Sequence, residues 1–498
     1  MIKHLFQALL AMFAFTSTAF AVDVSVNWGQ VKRAVDPLSY SVNASYGYQA
    51  SRTGNAGYRN GIKYAIGKPQ GGTALLRLHR QGLVGSWSRG GVWDPTTIVN
   101  GIKPLIDDGF TIMIDFDRAI GGGSNMDIAA PDAAALVKII NIDAKLGVKY
   151  WEIFNENQGD GTSRGNQVKG ISQAMKAVDP TIKVGGTSLG NDELITNFFP
   201  AFVQAGQPYI DFVSFHNYMT GGSPNMPDVD VYNNTQKVGA YIRDLRTRLN
   251  TISPNKYIPI IWDEYNIHWQ WTVMDDRIRT NKGGVLDALV MIATVDNGGD
   301  ISNLWNECES TFGFMDCSGN EYTPAHVFHL FNQFCNGDQV AATTSNQNLI
   351  VSYAVRNSQT NAYSLVLVNR SPSQQTANVT CSGWTAPSSM KRHQVWTTNG
   401  IDSTMQTWTA GNNSLVLPDN SVTVLTASNP TSIALRPTSL SPAIRSGKVT
   451  LYTLQGNRLA AFPNAASAHC ARRGSAGIVM AVPEGPSAGN RAMKVLAR

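Results

Sequence analysis

Cysteine is scarce in this chain, with five residues (Cys308, Cys317, Cys335, Cys381 and Cys470) among 498. That is too few for a disulfide scaffold, and without a Cys-x-x-Cys unit their spacing carries no zinc signature. Cys308 and Cys317 flank a short loop and are the pair predicted to be bridged; an odd count leaves at least one thiol unpaired. Long apolar runs are missing too. Beyond the N-terminus no stretch of about 18 uninterrupted apolar residues occurs, which argues against a membrane span. A strong charge of one sign is also lacking from most of the chain. The net charge is +5, but from Arg436 onward nine Lys/Arg face one acid, a balance of +8, so the first 435 residues carry −3. A body this near neutrality does not read as a nucleic-acid binder.

What is present is ordinary globular composition, 43% hydrophobic and 15% charged, in a chain long enough for two or three domains. Lys3 and His4 precede the apolar LFQALLAMFAF and the small-residue pattern Ala19-Phe20-Ala21. This reads as a signal peptide over 1–21, cleaved after Ala21, and hence as a secreted protein.

Eight strand-like runs follow: LSYSVN (38–43), ALLRLH (74–79), TIMIDF (111–116), KYWEIF (149–154), IKVGG (182–186), DFVSFH (211–216), YIPIIW (257–262) and ISNLW (301–305). Between them, PDAAALVKIINIDAKLG, GNQVKGISQAMKAV, KVGAYIRDLRTRL and GGVLDALVMIATV repeat apolar residues at helical spacing. Eight strand–helix repeats predict a parallel (β/α)8 TIM barrel over 36–335, with a doubly wound open sheet as the alternative. After Gly337 short strands alternate with turns, which predicts a β-sandwich over 336–428, joined by an N-terminal strand at 22–35. A Pro/Ser/Thr-rich linker (429–442) and a small basic β-rich module (443–498) complete the chain.

In a parallel barrel the reactive groups sit at the C-terminal ends of the strands. Those ends carry Arg77 and His79 on strand two, and Asp115 and Asp117 on strand three. Strand four offers Asn155 and Glu156, strand six His216, Asn217 and Tyr218, strand seven Asp263 to Asn266, and strand eight Trp305 to Glu307. Carboxylates on strands four and seven face each other across a barrel mouth. Glycoside hydrolysis needs such a pair, one protonated to release the leaving oxygen and one ionised to attack the sugar carbon. Arg77 would favour the ionised form of a nearby carboxylate, and a negative Glu264 the protonated form of Glu156.

The segments WEIFNENQG, DFVSFHNY and IIWDEYNIHW resemble motifs of clan A glycoside hydrolases, most closely the group around families 39 and 51 (β-xylosidases and α-L-arabinofuranosidases). The resemblance spans about residues 30–430, including FGFMDCSGNEYTPAHVFHLF. It implies Glu156 as general acid/base and Glu264 as nucleophile of a retaining double displacement. It further implies Asn155 on the sugar 2-hydroxyl, Arg77 and Tyr218 holding Glu264, His216 lining the sugar pocket and Trp305 as the subsite floor. Trp269 and Trp271, on the presumed loop after strand seven, are candidates for stacking on sugar rings. The implied substrate is a plant cell-wall or algal polysaccharide or its oligosaccharides, and neither a cofactor nor a catalytic metal is predicted. Asp115, Asp117 and Glu307 lack ligand spacing.

Two other readings stay open. Gly186-Thr187-Ser188-Leu189-Gly190 matches the G-x-S-x-G nucleophile elbow, which would make the chain a carbohydrate esterase acting through Ser188. A non-catalytic carbohydrate-binding protein could keep the same cleft. The last 55 or so residues loosely resemble C-terminal sorting domains of secreted bacterial proteins, implying secretion machinery or cell-surface attachment. A small extra β-domain or a carbohydrate-binding appendage is the alternative.

Overall fold

A computed structural model describes residues 21–428, apart from 80–82, 117, 121–126, 157–158, 191–193, 310 and 398–399, together with four strands between 449 and 496. Residues 1–20, Asp117, Cys470 and the predicted linker lie outside the described residues.

Eight parallel strands close into a barrel. In order they are Tyr40–Ala44, Leu75–Leu78, Thr111–Phe116, Tyr150–Ile153, Lys183–Leu189, Val213–His216, Ile260–Tyr265 and Ile301–Leu304. The last pairs with the first through Ser302 opposite Tyr40 and Leu304 opposite Val42. The eight strands and four helices expected from sequence are all present, and further helices at Ala56–Ile66, Pro95–Asp107, Ile195–Gly206 and Thr323–Phe334 complete the outer ring.

Strand alternation explains why these runs look wholly apolar yet carry charge. Leu76 and Leu78, Ile112 and Ile114, and Trp151 and Ile153 belong to the large core shared with the helices. The alternate residues point into the barrel. There the lower layer is apolar, built from Leu75, Met113, Phe212, Ile261 and Ile301. One step along the same strands toward the C-terminal face come Arg77, Asp115, Glu152 and Asp263, all fully buried. The barrel is thus plugged below and polar above.

Apart from a two-stranded ribbon of Ser88–Arg89 and Val92–Trp93, the remaining strands of this unit hydrogen-bond into one nine-stranded sheet. Its N-terminal member, Val22–Ala34, runs antiparallel to Asp338–Thr344 and parallel to Gln375–Ser382. One face, with Trp28, Leu365, Leu367, Val379, Leu415 and Leu425, forms a core of its own. Tyr353, Val355, Val366, Val368, Val422 and Val424 on the other face join the barrel's core. The sheet encloses a core as a sandwich does, although its ladder is continuous rather than split in two. A disulfide links Cys308 and Cys317, while Cys335 and Cys381 are free thiols. Among the described residues no helix is long and apolar enough to cross a membrane.

Residues 428–498 form a second compact unit. In it Val449–Thr453 pairs antiparallel with Arg458–Phe462 and Val479–Pro483, and the latter with Lys494–Leu496.

Candidate active site

Strand four ends at Ile153, and the chain then turns through two residues of positive φ, Phe154 at 73° and Glu156 at 51°. Non-glycine residues rarely adopt this conformation, and each costs on the order of 1 kcal/mol or more. The surroundings hold it: the Glu156 amide donates to the Ser188 carbonyl at 2.8 Å, and Ser188 is itself at φ 48°. Gly190 leaves the room, since a Cβ there would lie 3.3 Å from Glu156 Cγ. The turn carries the Glu156 side chain, 52% exposed, to the mouth of the barrel. Asn155, one residue earlier, stays buried.

Strand seven delivers two adjacent carboxylates inward by a different device. Its register against both neighbouring strands slips after Trp262, a β-bulge at Asp263 and Glu264. Bulges re-aim side chains beside active sites. Both carboxylates reach the interior cluster, whereas regular alternation would send one outward.

Arg77 on strand two occupies the centre of that cluster. Its Nη1 donates to Glu264 Oε1 at 2.8 Å and to Asn43 Oδ1 at 2.9 Å. Its Nη2 donates to Asp115 Oδ2 at 2.9 Å, Asn155 Oδ1 at 2.8 Å and Ser188 Oγ at 3.1 Å. Nε meets Glu152 Oε2 at 2.5 Å and lies 3.4 Å from Asp263 Oδ2. This planar fork suits several acceptors at once in a way a lysine ammonium does not. With Asn155's carbonyl oxygen taken by Arg77, the group it can offer a sugar hydroxyl is its amide N–H2.

The other oxygen of Glu264, Oε2, accepts from the Tyr218 hydroxyl at 2.9 Å. Burial and the Glu264 charge push the Tyr218 phenol well above its ordinary pKa, so it remains a donor. His216, 1% exposed, lies between the two glutamates: Nδ1 is 3.2 Å from Glu156 Oε1 and Nε2 is 3.4 Å from Glu264 Oε1. Burial acts to lower its pKa, but the charges of Glu264 and Asp263 outweigh that and raise it well above the usual histidine value. The charged imidazolium form of His216 is thereby favoured.

The tryptophans divide into two kinds. Trp305, at the end of strand eight, is 3% exposed and meets the His79 ring edge-on at 4.6 Å. Trp269 and Trp271 are 52% and 48% exposed, and Trp271 packs against Trp305 at 6.4 Å. The backbone carbonyl of Trp271 accepts from Thr311 Oγ1 at 2.7 Å, inside the loop closed by the Cys308–Cys317 bridge.

Arg77, Asn155, Glu156, His216, Tyr218, Glu264 and Trp305 thus converge on one rim, with Trp271 beside Trp305 and Trp269 out on the same loop. The Ser188 of the nucleophile-elbow pattern does not look outward: it is fully buried and its hydroxyl donates to Asp263 Oδ2 at 2.8 Å. Sequence reasoning passed over Glu152 and the role of Asp263. The available signal was an acid at an inward-facing position of an otherwise apolar strand. Among the described residues no group of three or more His, Cys, Asp or Glu is arranged to hold a metal ion.

Residues 156–364, less than half of the chain but including both glutamates, match the family model for Glycosyl hydrolases family 39. No curated protein matches the chain. Among solved structures, a family 51 alpha-L-arabinofuranosidase from Bifidobacterium longum superposes with a TM-score of 0.64 at 14% identity, over 83% of this chain and 100% of that one. A monomeric beta-xylosidase from Caulobacter crescentus gives 0.60 at 14%, over 82% and 100%. A bifunctional glucanase-xylanase from a metagenome library gives 0.58 at 14%, over 82% and 99%. At such identity these likenesses speak for the fold, while the family match speaks for the chemistry. On that match, and with the strand-four and strand-seven carboxylates at the barrel mouth, the chain is a glycoside hydrolase.

Proposed function

We propose that this protein is a secreted retaining glycoside hydrolase that cleaves a plant cell-wall or algal polysaccharide, or its oligosaccharides, by double displacement. The observation that carries the reading is the pair Glu156 and Glu264, both in contact with His216, with Glu264 held by Arg77 and Tyr218. In the first step Glu264 attacks the anomeric carbon while Glu156 gives its proton to the departing oxygen. The glycosidic C–O bond breaks and Glu264 becomes a glycosyl ester. Glu156, now a carboxylate, then takes a proton from a water whose oxygen displaces the ester.

His216 gives this exchange an electrostatic logic. Before the first step the negative charge lies on Glu264, beside Nε2; in the intermediate it lies on Glu156, beside Nδ1. One buried imidazolium therefore faces one anionic glutamate at both stages, with little reorganisation. That structural relatives include arabinofuranosidases, a xylosidase and a glucanase-xylanase supports a pentose- or glucose-based polymer. Loop shape around the non-reacting sugars sets which one. Export rests on the N-terminal pattern, and protein recovered from the medium should begin at Val22. Residues 443–498 are proposed to attach the enzyme to the cell surface or to engage the secretion machinery.

The test is a panel of chromogenic glycosides and polysaccharides assayed beside Glu264→Ala, with NMR of the first-formed sugar. The wild type should release a product of retained anomeric configuration. An inverted product would sink the double displacement, and no product from any substrate would favour the binding-protein reading. The esterase reading has little support in the position of Ser188, whose hydroxyl is committed to Asp263.

A further inference from the structure

Beneath the nucleophile lies a charge arrangement that the double displacement does not itself require. Glu152, Asp115 and Asp263 surround the Arg77 guanidinium together with Glu264, and none of the first three side chains is exposed. Four carboxylates around one buried guanidinium would leave a large uncompensated charge, which interiors do not tolerate. Two contacts show how it is relieved: Glu152 Oε2 and Asp263 Oδ2 meet the same Arg77 Nε, at 2.5 and 3.4 Å, which brings the two buried carboxyl groups side by side. Yet Glu152 Oε1 and Asp263 Oδ1 have no conventional donor, although both are buried. Carboxylates are acceptors only, so a hydrogen bond between two of them requires a proton on one.

We propose that Glu152 and Asp263 hold one proton between them, making Glu152 a neutral acid in the working enzyme and a positioning residue for Glu264. The proton belongs on Glu152 because the donors favour an anion at Asp263. Asp263 accepts from the Ser188 hydroxyl at 2.8 Å, with His216 Nε2 at 3.6 Å and Arg77 Nε at 3.4 Å. Glu152 takes its hydrogen bond from Arg77 Nε, at 2.5 Å. Burial pushes the Glu152 carboxyl well above its ordinary range, whereas His216 and Arg77 hold Asp263 below its own against the effect of burial. Arg77 from strand two, Ser188 from strand five and His216 from strand six contact the pair. Asn43 from strand one, Asp115 from strand three, Asn155 from strand four and Glu264 from strand seven join it through Arg77. His79 lies beside Asp115 and Glu264, and Glu156 and Tyr218 stand one contact further out, on His216 and Glu264. Strand eight, Ile301–Leu304, carries no charge.

With Glu152 neutral, Arg77 and His216 face Asp115, Asp263 and Glu264, a net charge of one negative unit. That unit lies where the sugar ring becomes positive in the transition state. An ionised Glu152 would double it and draw Arg77 away from Glu264. This role rests on the glycosidase reading of Glu264; the shared proton itself does not.

Neutron diffraction of the wild-type protein, which needs neither a variant nor a substrate, should place one deuteron between the two carboxyl groups. Its absence would overturn the proposal. Infrared spectra of protein labelled with 13C-glutamate should show protonated carboxyl absorption at pH 7, and one component of it, separate from that of Glu156, should be lost in Glu152→Gln. A band unchanged by that substitution counts against it. Gln resembles a protonated Glu in shape and charge. Glu152→Gln should therefore lose at most about tenfold in kcat and leave the acid limb of kcat/KM in place. A limb displaced to lower pH by a unit or more would mean that a negative charge had been removed, and the proposal fails.

Discussion

His216 Nδ1 lies 3.2 Å from Glu156 Oε1, so the exposed glutamate at the barrel mouth is anchored to a buried, charged ring whose other nitrogen is 3.4 Å from Glu264. His216→Asn keeps a polar side chain but removes this positive charge. It should lower kcat by about 10²-fold, the scale at which one preorganised electrostatic contact counts. The same contact has a stability signature. The folded pKa of His216 is raised, so its stabilising contribution is fully present below the unfolded value of about 6.5 and lost as pH rises through the folded value. The gap in Tm between wild type and His216→Asn should therefore be widest at mildly acidic pH and narrow toward the alkaline side. A gap that widens with rising pH would contradict the charged state assigned to the ring.

Glu156 and Glu264 should separate by leaving group. Glu264→Ala removes the proposed nucleophile and should abolish turnover of every substrate, by about 10⁴-fold or more. Glu156→Ala should cost about 10²- to 10⁴-fold on substrates with alcohol leaving groups. It should cost far less in bond cleavage for nitrophenyl glycosides, whose leaving groups need no proton. Equal losses for both substrate types would remove Glu156 from the acid's role.

Arg77 should matter to stability as much as to the proposed chemistry. Arg77→Lys keeps the charge but cannot reach Glu152, Asp115, Asn155 and Glu264 together. Leaving buried carboxylates short of partners costs roughly 3–5 kcal/mol. Urea unfolding should show a loss on that scale, with activity falling at least about 10²-fold even where the variant is folded.

Glu156, Glu264 and Arg77 also mark what sequence could tell. The strands were legible because each is a short apolar run ended by polar groups, and Glu156 and Glu264 stood out as carboxylates at strand ends. The contact between Arg77 and Glu152 was not legible, because residues 75 apart meet only once the barrel closes. Nor was the bulge at Asp263 and Glu264, which depends on register against the neighbouring strands and not on any local residue pattern. The continuous sheet behind the barrel was likewise hidden. Its alternating strands predict a buried face, but whether two layers share a ladder depends on pairings such as Val24 with Thr344 and Val379.

The exposed tryptophans give the prediction closest to substrate choice. Trp271 touches Trp305 and is held through Thr311, within the loop that the Cys308–Cys317 bridge closes. Strand eight, which carries Trp305, lies across the barrel from strand four, which carries Glu156, the proposed proton donor. The leaving portion of the substrate must lie near Glu156, so a sugar stacked on Trp271 belongs to the other portion, beyond the ring that reacts. Trp271→Ala should raise KM for polysaccharides about tenfold, the equivalent of roughly 1.4 kcal/mol of lost ring contact. Small aryl glycosides, too short to reach it, should be hydrolysed with unchanged KM. Cys308→Ser with Cys317→Ser should produce a weaker form of the same polysaccharide-only defect, together with a loss of about 2 kcal/mol in stability from opening a short loop. If both variants instead impair the small substrates equally, Trp271 supports the reacting sugar's own site, and the case for a chain extending past it is lost.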